Sequence, residues 1–464
     1  MSEPRKQLLF GLNDTPPWPT RFVAGLQHLM AIFGGIITAP LIISSGMGLS
    51  VTDSNYLITS ALVISGLATM VQISKIGVVG SGMLSVQGTS FTFIGAILFA
   101  FFNLPETMSD AEKLGTIFGT SAICALIVLP LCFYISYLRH IFTPTVAGAT
   151  VFLLGSTLVL NNINSLSTAF NESVTTFEGI RVLLIAATVF ITTFILAYCK
   201  YFWLRMTSIV SGLCVGFIIS LSLGLIDFSL LSELETTFIP VPFHFGFGFN
   251  WGVFLILFPI FIVTITETIG DLTATSSISQ EPTSGPVYWE RIRGGLLSDL
   301  LNSFVAALFS TFPNTTFSQN NGVIRLTGIA SRKVGMITAL LLIVLGIFPV
   351  IGGLFQLLPT PVLTGATMLM FLMVALAGLE IVHKQNNKRS WIIAISAVFG
   401  GWIISETVEY ISFLHPQIQM FLQFSVSTGA FLAIALELIL PVDPAVIEEH
   451  ANEVPEPILG DSSQ

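Results

Sequence analysis

Long apolar runs with few charged residues dominate the chain and constrain its fold more than any other feature. Thirteen such blocks lie at 22–45, 56–73, 94–102, 116–138, 142–162, 180–199, 207–226, 251–270, 294–312, 334–353, 360–380, 390–411 and 415–440. A helix needs about 20 apolar residues to cross a bilayer, whereas barrel strands alternate over about ten. Only 9% of residues are charged, against about 25% in soluble domains. The pattern therefore excludes a soluble protein and predicts an all-α polytopic membrane protein.

The basic residues predict fourteen crossings, because Lys and Arg concentrate on the cytoplasmic side of membranes. A polar stretch at 312–331 takes the place of one further crossing. If it is counted, 14 of the 17 Lys and Arg residues fall in or beside cytoplasmic loops. Both termini are then cytoplasmic: the segment 1–21, which lacks the apolar region of a signal peptide, and the acidic tail 443–464. Without it, Lys384, Lys388 and Arg389 would lie outside.

A motif that occurs twice indicates an inverted internal repeat. Residues 143–150 (TPTVAGAT) and 360–367 (TPVLTGAT) match at five of eight positions. They open the fifth and the twelfth segments, and an odd number of crossings separates them, so the two copies enter the membrane from opposite faces. Inverted repeats are typical of secondary transporters. Chance recurrence of a Thr-Pro helix start is the alternative.

The third and tenth segments hold equivalent places in this repeat and are unusually polar. The run SVQGTSFT at 85–92 precedes the apolar end of the third segment, and NTTFSQNNG at 314–322 occupies the tenth. Neither can expose its backbone to lipid without unsatisfied polar groups. We therefore expect, in each, a short extended strand that leads into a half helix at the midplane, where transporters of this type bind substrate. Two surface loops are the alternative.

Three carboxylates at membrane depth are candidates for function, because ionisable groups are costly there. Glu267 and Asp271 share one face of the eighth segment, and Asp299 follows in the ninth. Burial favours the neutral form of a carboxyl group, so at least one of them is expected to bind a proton near neutral pH and couple transport to a proton gradient. His28 lies at similar depth in the first segment. Helix packing for His28, a helix-end position for Asp271 and backbone bonding by Asp299 are the structural alternatives.

Five motifs, in order along nearly the whole chain except the tail, resemble the nucleobase–ascorbate transporter family. They are Gln27-His28, the QGTSF run at 87–91, the ETIGD run at 267–271, Asp299 with Asn302-Ser303, and the QNNGVIRLTG run at 319–328. The last fits the family signature of Gln or Glu, then Asn-x-Gly, with Thr five residues after the Gly.

The resemblance implies fourteen segments in two inverted repeats of seven. Segments 1–4 and 8–11 would form a core domain (22–138 and 251–353), and segments 5–7 and 12–14 a gate domain (142–226 and 360–440). It also implies a homodimer that takes up a nucleobase with a proton as the coupling ion. No cofactor or metal is expected, lipid surrounds the chain, and the net charge of −9 argues against nucleic acid as a partner.

The resemblance also implies roles for single residues. Those expected to bind substrate are Glu267, Gln319, Phe91, Thr92, Phe317, Ser318 and His28. Those expected to serve proton coupling and site architecture are Asp299, Asp271, Asn320, Asn321 and Gln87. Gln319 resembles the xanthine and urate carriers, where uracil carriers have Glu. Thr92 resembles the urate-accepting type, whereas members that prefer xanthine alone often have Asn there. We therefore expect proton-coupled import of urate, in the first place, or of xanthine, or of both, across the cell membrane by alternating access. A carrier of uracil or another nucleobase and a sulfate-type anion transporter are the alternatives, and no loop is long enough for an enzyme domain.

Overall fold

The computed structural model describes residues 8–134, 143–171, 176–201, 204–205, 207–229, 236–385, 387–411 and 414–441. The predicted acidic tail at 443–464 and the first seven residues of the predicted N-terminal segment lie outside the described residues. Within the described part, the chain forms sixteen α-helices and two short paired strands.

The elements follow one another along the chain in two sets. The first contains α1 (Trp18–Met47), α2 (Val51–Ser74), β1 (Gln87–Thr89), α3 (Ile94–Asn103), α4 (Asp110–Val128), α5 (Pro144–Asn171), α6 (Thr176–Ala197) and α7 (Ser208–Ser222). The second contains α8 (Trp251–Ile278), α9 (Gly285–Leu308), β2 (Asn314–Thr316), α10 (Gln319–Thr327), α11 (Arg332–Ile347), α12 (Pro349–Gln356), α13 (Thr360–Lys384), α14 (Lys388–Thr407), α15 (Pro416–Gln423) and α16 (Ser425–Ile439).

Length and hydropathy show which helices can cross a membrane. In the described part, eight helices qualify: α1, α2, α4 with its 3-10 extension to Tyr134, α5, α6, α8, α13 and α14. The pair α11 and α12, bent by 74° at its junction, is a ninth when it is counted as one span. The prediction of a helical, multi-pass membrane protein is therefore confirmed.

Several helices extend beyond the apolar blocks that predict them. The α5 helix continues to Asn171 instead of ending near 162, and α8 continues to Ile278 instead of ending near 270. The hydroxyls of Thr273 and Thr275 each donate to a carbonyl one turn back, at 2.5 and 2.8 Å. Because such bonds satisfy polar groups within the helix, a polar stretch can continue a spanning helix.

Two blocks predicted as continuous are broken helices. The block at 334–353 divides between α11 and α12 at Pro349, whose missing N–H and ring prevent the helix from continuing. The block at 415–440 divides at Phe424, which is extended (φ −86°, ψ 97°) between α15 and α16.

The two strands pair with each other although they lie far apart in the chain. They are antiparallel, with the Cα pairs Gln87–Thr316, Gly88–Thr315 and Thr89–Asn314. Beyond the ladder, Ser90 N donates to Pro313 O at 2.9 Å, and Phe317 N donates to Val86 O at 3.0 Å. Every residue of both strands is buried. The strands thus satisfy one another's backbone groups inside the protein, and a short helix, α3 or α10, follows each.

Helix packing divides the elements into two groups. In one, α2 packs against α11 and α9, α4 packs against α8 and α9, and α1 packs against α2 and α11. In the other, α13 packs against α5 and α6, α14 packs against α16 and α5, and α6 packs against α7. The paired strands belong to the first group.

Candidate functional site

The three predicted intramembrane carboxylates lie beside the paired strands. Glu267 and Asp271 are on α8, and Asp299 is on α9. Among the described residues, no Lys or Arg forms an ion pair with any of the three. The site therefore holds acceptors without fixed positive charge.

Asp299 joins three elements. Its Oδ1 accepts a hydrogen bond from Gln87 Nε2 on β1 at 2.6 Å, and its Oδ2 accepts one from Thr268 Oγ1 on α8 at 2.5 Å. The residue is buried. Because both carboxylate oxygens are engaged within the protein, Asp299 holds β1, α8 and α9 together. Sequence reasoning did not find Thr268, although it directly follows Glu267.

Asp271 connects α8 to the second half of the site. Its Oδ2 accepts from Thr316 Oγ1 on β2 at 3.1 Å. Its backbone carbonyl accepts from Thr275 Oγ1 at 2.8 Å and from Asn321 Nδ2 at 3.3 Å. Asn321 Oδ1 in turn accepts from Thr275 Oγ1 at 2.7 Å. Asp271 lies two turns before the end of α8, so it is not a helix-end residue.

Glu267 is the carboxylate with the simplest surroundings. Its Oε2 accepts a hydrogen bond from Thr92 Oγ1 at 3.0 Å. No hydrogen bond to Oε1 is found within the described part of the chain, and the residue is partly exposed. One carboxylate oxygen is thus held by the protein, and the other can accept a proton or an N–H group from a ligand.

The start of α10, directly after β2 and Phe317, carries exposed polar side chains. Ser318 and Gln319 are exposed, and Ser318 caps the helix without a side-chain hydrogen bond. Gly322 and Arg325, one and two turns later, are exposed as well. These four positions share one face of α10, so a polar surface runs from the site to the end of the helix.

Two aromatic rings complete the site. Phe91 lies just after β1 and is half-buried, while Phe317 lies just after β2 and is buried. Their ring centroids are 6.0 Å apart at an interplanar angle of 59°. Pairing of the strands therefore brings together two aromatic residues that the sequence separates widely.

His28 and Asn320 lie behind these groups. His28 is fully buried in α1, beside Asn320, and Asn320 Nδ2 donates to Leu84 O at 2.5 Å. In this conformation His28 is therefore a buried neighbour of α10, whereas the resemblance assigned it to substrate contact. Within the described residues, no cluster of His, Cys, Asp or Glu is arranged to hold a metal ion.

A bundle of spanning helices that encloses buried, non-helical polar segments is typical of secondary membrane transporters. Residues 20–409 match the model of the Permease family, Xan_ur_permease. The chain therefore belongs to this family, the nucleobase–ascorbate transporters, and it is a transporter and not an enzyme.

The relatives agree over almost their whole lengths. Xanthine permease XanP of Escherichia coli (strain K12) is 37% identical over 94% of this chain and 95% of its own. Xanthine permease XanQ of the same strain is 37% identical over 94% of both chains. The fold resembles the murine anion transporter Slc26a9 in the inward-facing state, with a TM-score of 0.57 and 14% identity over 94% of this chain and 69% of that one. The match to another structure, that of SLC26A9, covers 64% of the SLC26A9 chain, so this chain spans less than two thirds of that protein's length.

Proposed function

We propose that this protein is a proton-coupled symporter that imports an oxidised purine base, xanthine, urate or both, across the cell membrane. The observation that carries the proposal is that Glu267, bonded to Thr92 directly after Phe91, keeps one carboxylate oxygen free beside the paired strands. The Phe91 ring lies 6.0 Å from that of Phe317, two residues before the exposed Gln319. The names of the relatives, both xanthine permeases, support the same substrate class.

The chemistry of an oxopurine suits these groups. The ring is planar and apolar on its faces, and its edge alternates N–H and C=O groups. The free Oε1 of Glu267 can accept from an N–H, the amide of Gln319 can both donate and accept, and the Phe91 ring can pack on a face. The residues implied for architecture, Asp271 and Asp299, are held by threonines and by Gln87.

The decisive experiment is uptake of labelled xanthine, urate and uracil in cells that lack their own purine carriers, with labelled sulfate as a fourth arm. We expect saturable uptake of xanthine, urate or both, with collapse of the proton gradient and membrane potential abolishing accumulation. Uptake of uracil alone would favour the other nucleobase carriers. Uptake that persists without the gradient would contradict proton coupling. Uptake of sulfate alone would favour an anion carrier, which the three unpaired carboxylates of this site disfavour.

We expect Thr92 to tune the choice between urate and xanthine. Its hydroxyl donates to Glu267 Oε2 at 3.0 Å, so a change at Thr92 alters both the room and the orientation of the carboxylate. Thr92→Asn should lower urate uptake relative to xanthine uptake by about tenfold. Thr92→Ser, which keeps the hydroxyl, is the matched control and should keep the wild-type ratio. An unchanged ratio in the Asn variant would remove the reason for expecting urate.

We propose that transport occurs by movement of a core against a gate. The two packing groups of helices support the assignment of 22–138 and 251–353 to the core and of 142–226 and 360–440 to the gate. Within the described residues, the hydrogen bond from Ser427 Oγ to Ile256 O, at 2.9 Å, joins these groups. We further propose fourteen segments in two inverted repeats of seven, cytoplasmic termini and a homodimer.

Accessibility of α10 should report this movement. A cysteine at Gly322 would have open space around its Cβ. We expect xanthine to change the labelling rate at position 322 by membrane-impermeant reagents, over the background that the wild-type protein with its native cysteines gives. A rate that substrate leaves unchanged from both sides of the membrane would argue against alternating access.

A further inference from the structure

The ring of Phe317 lies in a narrow slot between α1 and β1. A Cβ atom at Gly35 would lie 2.7 Å from Cε1 of this ring, and a Cβ atom at Gly88 would lie 2.4 Å from its Cε2. Ordinary contacts of Cβ atoms begin near 3.4 Å. A methyl group at Gly35 would therefore require a relative shift of roughly 0.7 Å. Both edges of the ring thus depend on positions without a side chain.

The ring has few directions in which it can move. Its backbone is fixed by the hydrogen bond from Phe317 N to Val86 O at 3.0 Å, directly beyond the strand ladder. On the β1 side, a Cβ atom at Gly88 would also lie only 2.7 Å from Ile36 Cγ1. The side chains of Phe317 and Ile36 therefore both fill the space next to Gly88. Phe91, at 6.0 Å, is only half-buried. A displaced ring therefore moves toward Phe91 and the space that a ligand would occupy.

We propose that Gly35 and Gly88 are specificity-determining residues, because they set how deep the Phe317 ring lies and hence how large a planar base fits beside Phe91. The proposal rests on the function proposed above and extends it to residues that do not themselves touch the ligand. A side chain at Gly35 pushes the ring into the site, which excludes a two-ring purine before it excludes a one-ring pyrimidine.

The test compares the binding of labelled xanthine, competed by unlabelled urate and uracil, to purified wild-type protein and the Gly35→Ala variant. The expected result is a fall of about tenfold in the affinity for xanthine relative to uracil, as for one misplaced methyl group in a tight pocket. Gly34→Ala is the matched control on the same helix, because its Cβ would meet Val210 on α7 instead of Phe317. This control should keep the wild-type xanthine-to-uracil ratio.

A double variant tests the physical contact itself. Leucine at position 317 is smaller than phenylalanine and leaves room for a methyl group at Gly35. The effect of Gly35→Ala on the ratio should therefore shrink to less than about threefold in a Phe317→Leu background, a non-additivity expected of residues in contact. Phe317→Leu alone should raise the affinity for xanthine relative to uracil. If Gly35→Ala does not fold, this single variant tests the slot proposal.

The outcomes separate the two proposals. If the wild-type protein binds none of the three bases, the proposed function and the slot proposal both fail. If it binds xanthine but Gly35→Ala and Gly34→Ala give the same ratio, the slot proposal alone is overturned. Equal effects of Gly35→Ala in the wild-type and Phe317→Leu backgrounds, or an unchanged ratio in Phe317→Leu where Gly35→Ala does not fold, would also overturn it.

Discussion

Replacing Glu267 by Gln is expected to lower the affinity for xanthine by about a hundredfold, the cost of a lost hydrogen bond to a charged acceptor. The substitution keeps the shape of the side chain, but its Nε2 is a donor. In the wild type, Thr92 Oγ1 donates to Glu267 Oε2 at 3.0 Å and leaves Oε1 for the ligand. In the variant, a single side-chain oxygen must accept from both Thr92 Oγ1 and the ligand N–H. Equilibrium binding to the purified protein measures the effect.

The matched control is Glu406→Gln on α14. Glu406 is exposed and lines a separate cavity of about 900 Å³ between the two packing groups, together with Asn161 and Trp402. The Glu406→Gln variant makes the same change of charge at a residue outside the proposed site. The affinity of this variant for xanthine should therefore match that of the wild type. Wild-type affinity in Glu267→Gln would remove Glu267 from the binding site.

Asp299 is expected to give the second large effect, with two substitutions that separate structure from charge. Asp299→Ala leaves Gln87 Nε2 and Thr268 Oγ1 buried without their acceptor, and each such loss costs about 1–3 kcal/mol. We expect a lower unfolding temperature and no uptake. In Asp299→Asn the amide oxygen still accepts from Gln87, and the amide nitrogen can donate to the Thr268 hydroxyl, so the fold is expected to persist.

The Asn variant therefore tests the proton. It should bind xanthine within a few-fold of the wild type but fail to accumulate it against a concentration gradient. An amide does not bind and release a proton near neutral pH as a carboxyl group can. Thermal unfolding in detergent and uptake into vesicles are the two measurements. Gradient-driven accumulation at the wild-type level would withdraw Asp299 from coupling and leave it the role of joining β1, α8 and α9.

Much of the architecture follows from the sequence because the membrane restricts what a chain can do. Apolar blocks predict spanning helices, since no other lipid-exposed backbone satisfies its own polar groups. The polar runs at 85–92 and 314–322 stand out for the same reason, and in the structure each contains a strand followed by a short helix. Helix ends are less predictable, because the residues that continue α5 to Asn171 and α8 to Ile278 are mostly polar and lack the apolar pattern of a span.

The contacts inside the site are not readable from the sequence. Thr268 and Thr316 are ordinary residues in a helix and a strand, and only the pairing of distant segments shows that their hydroxyls bond Asp299 and Asp271. The partly buried ion pair of Arg389 Nη1 with Glu437 Oε1, at 2.6 Å, is likewise invisible before α14 and α16 are packed together. Loop charge predicted a side of the membrane for Arg389 but no partner.

The pairing of β1 with β2 limits how a transport cycle can proceed. If the two strands separated at membrane depth, the backbone amides and carbonyls of Gln87–Thr89 and Asn314–Thr316 would lose their partners in a medium that cannot replace them. If transport proceeds by the movement of core against gate proposed above, the two halves of the site would move together as one rigid unit. Ligand selection would then take place in a pocket of constant shape, and changes in the surrounding helices would alter the rate of the cycle without altering the substrate.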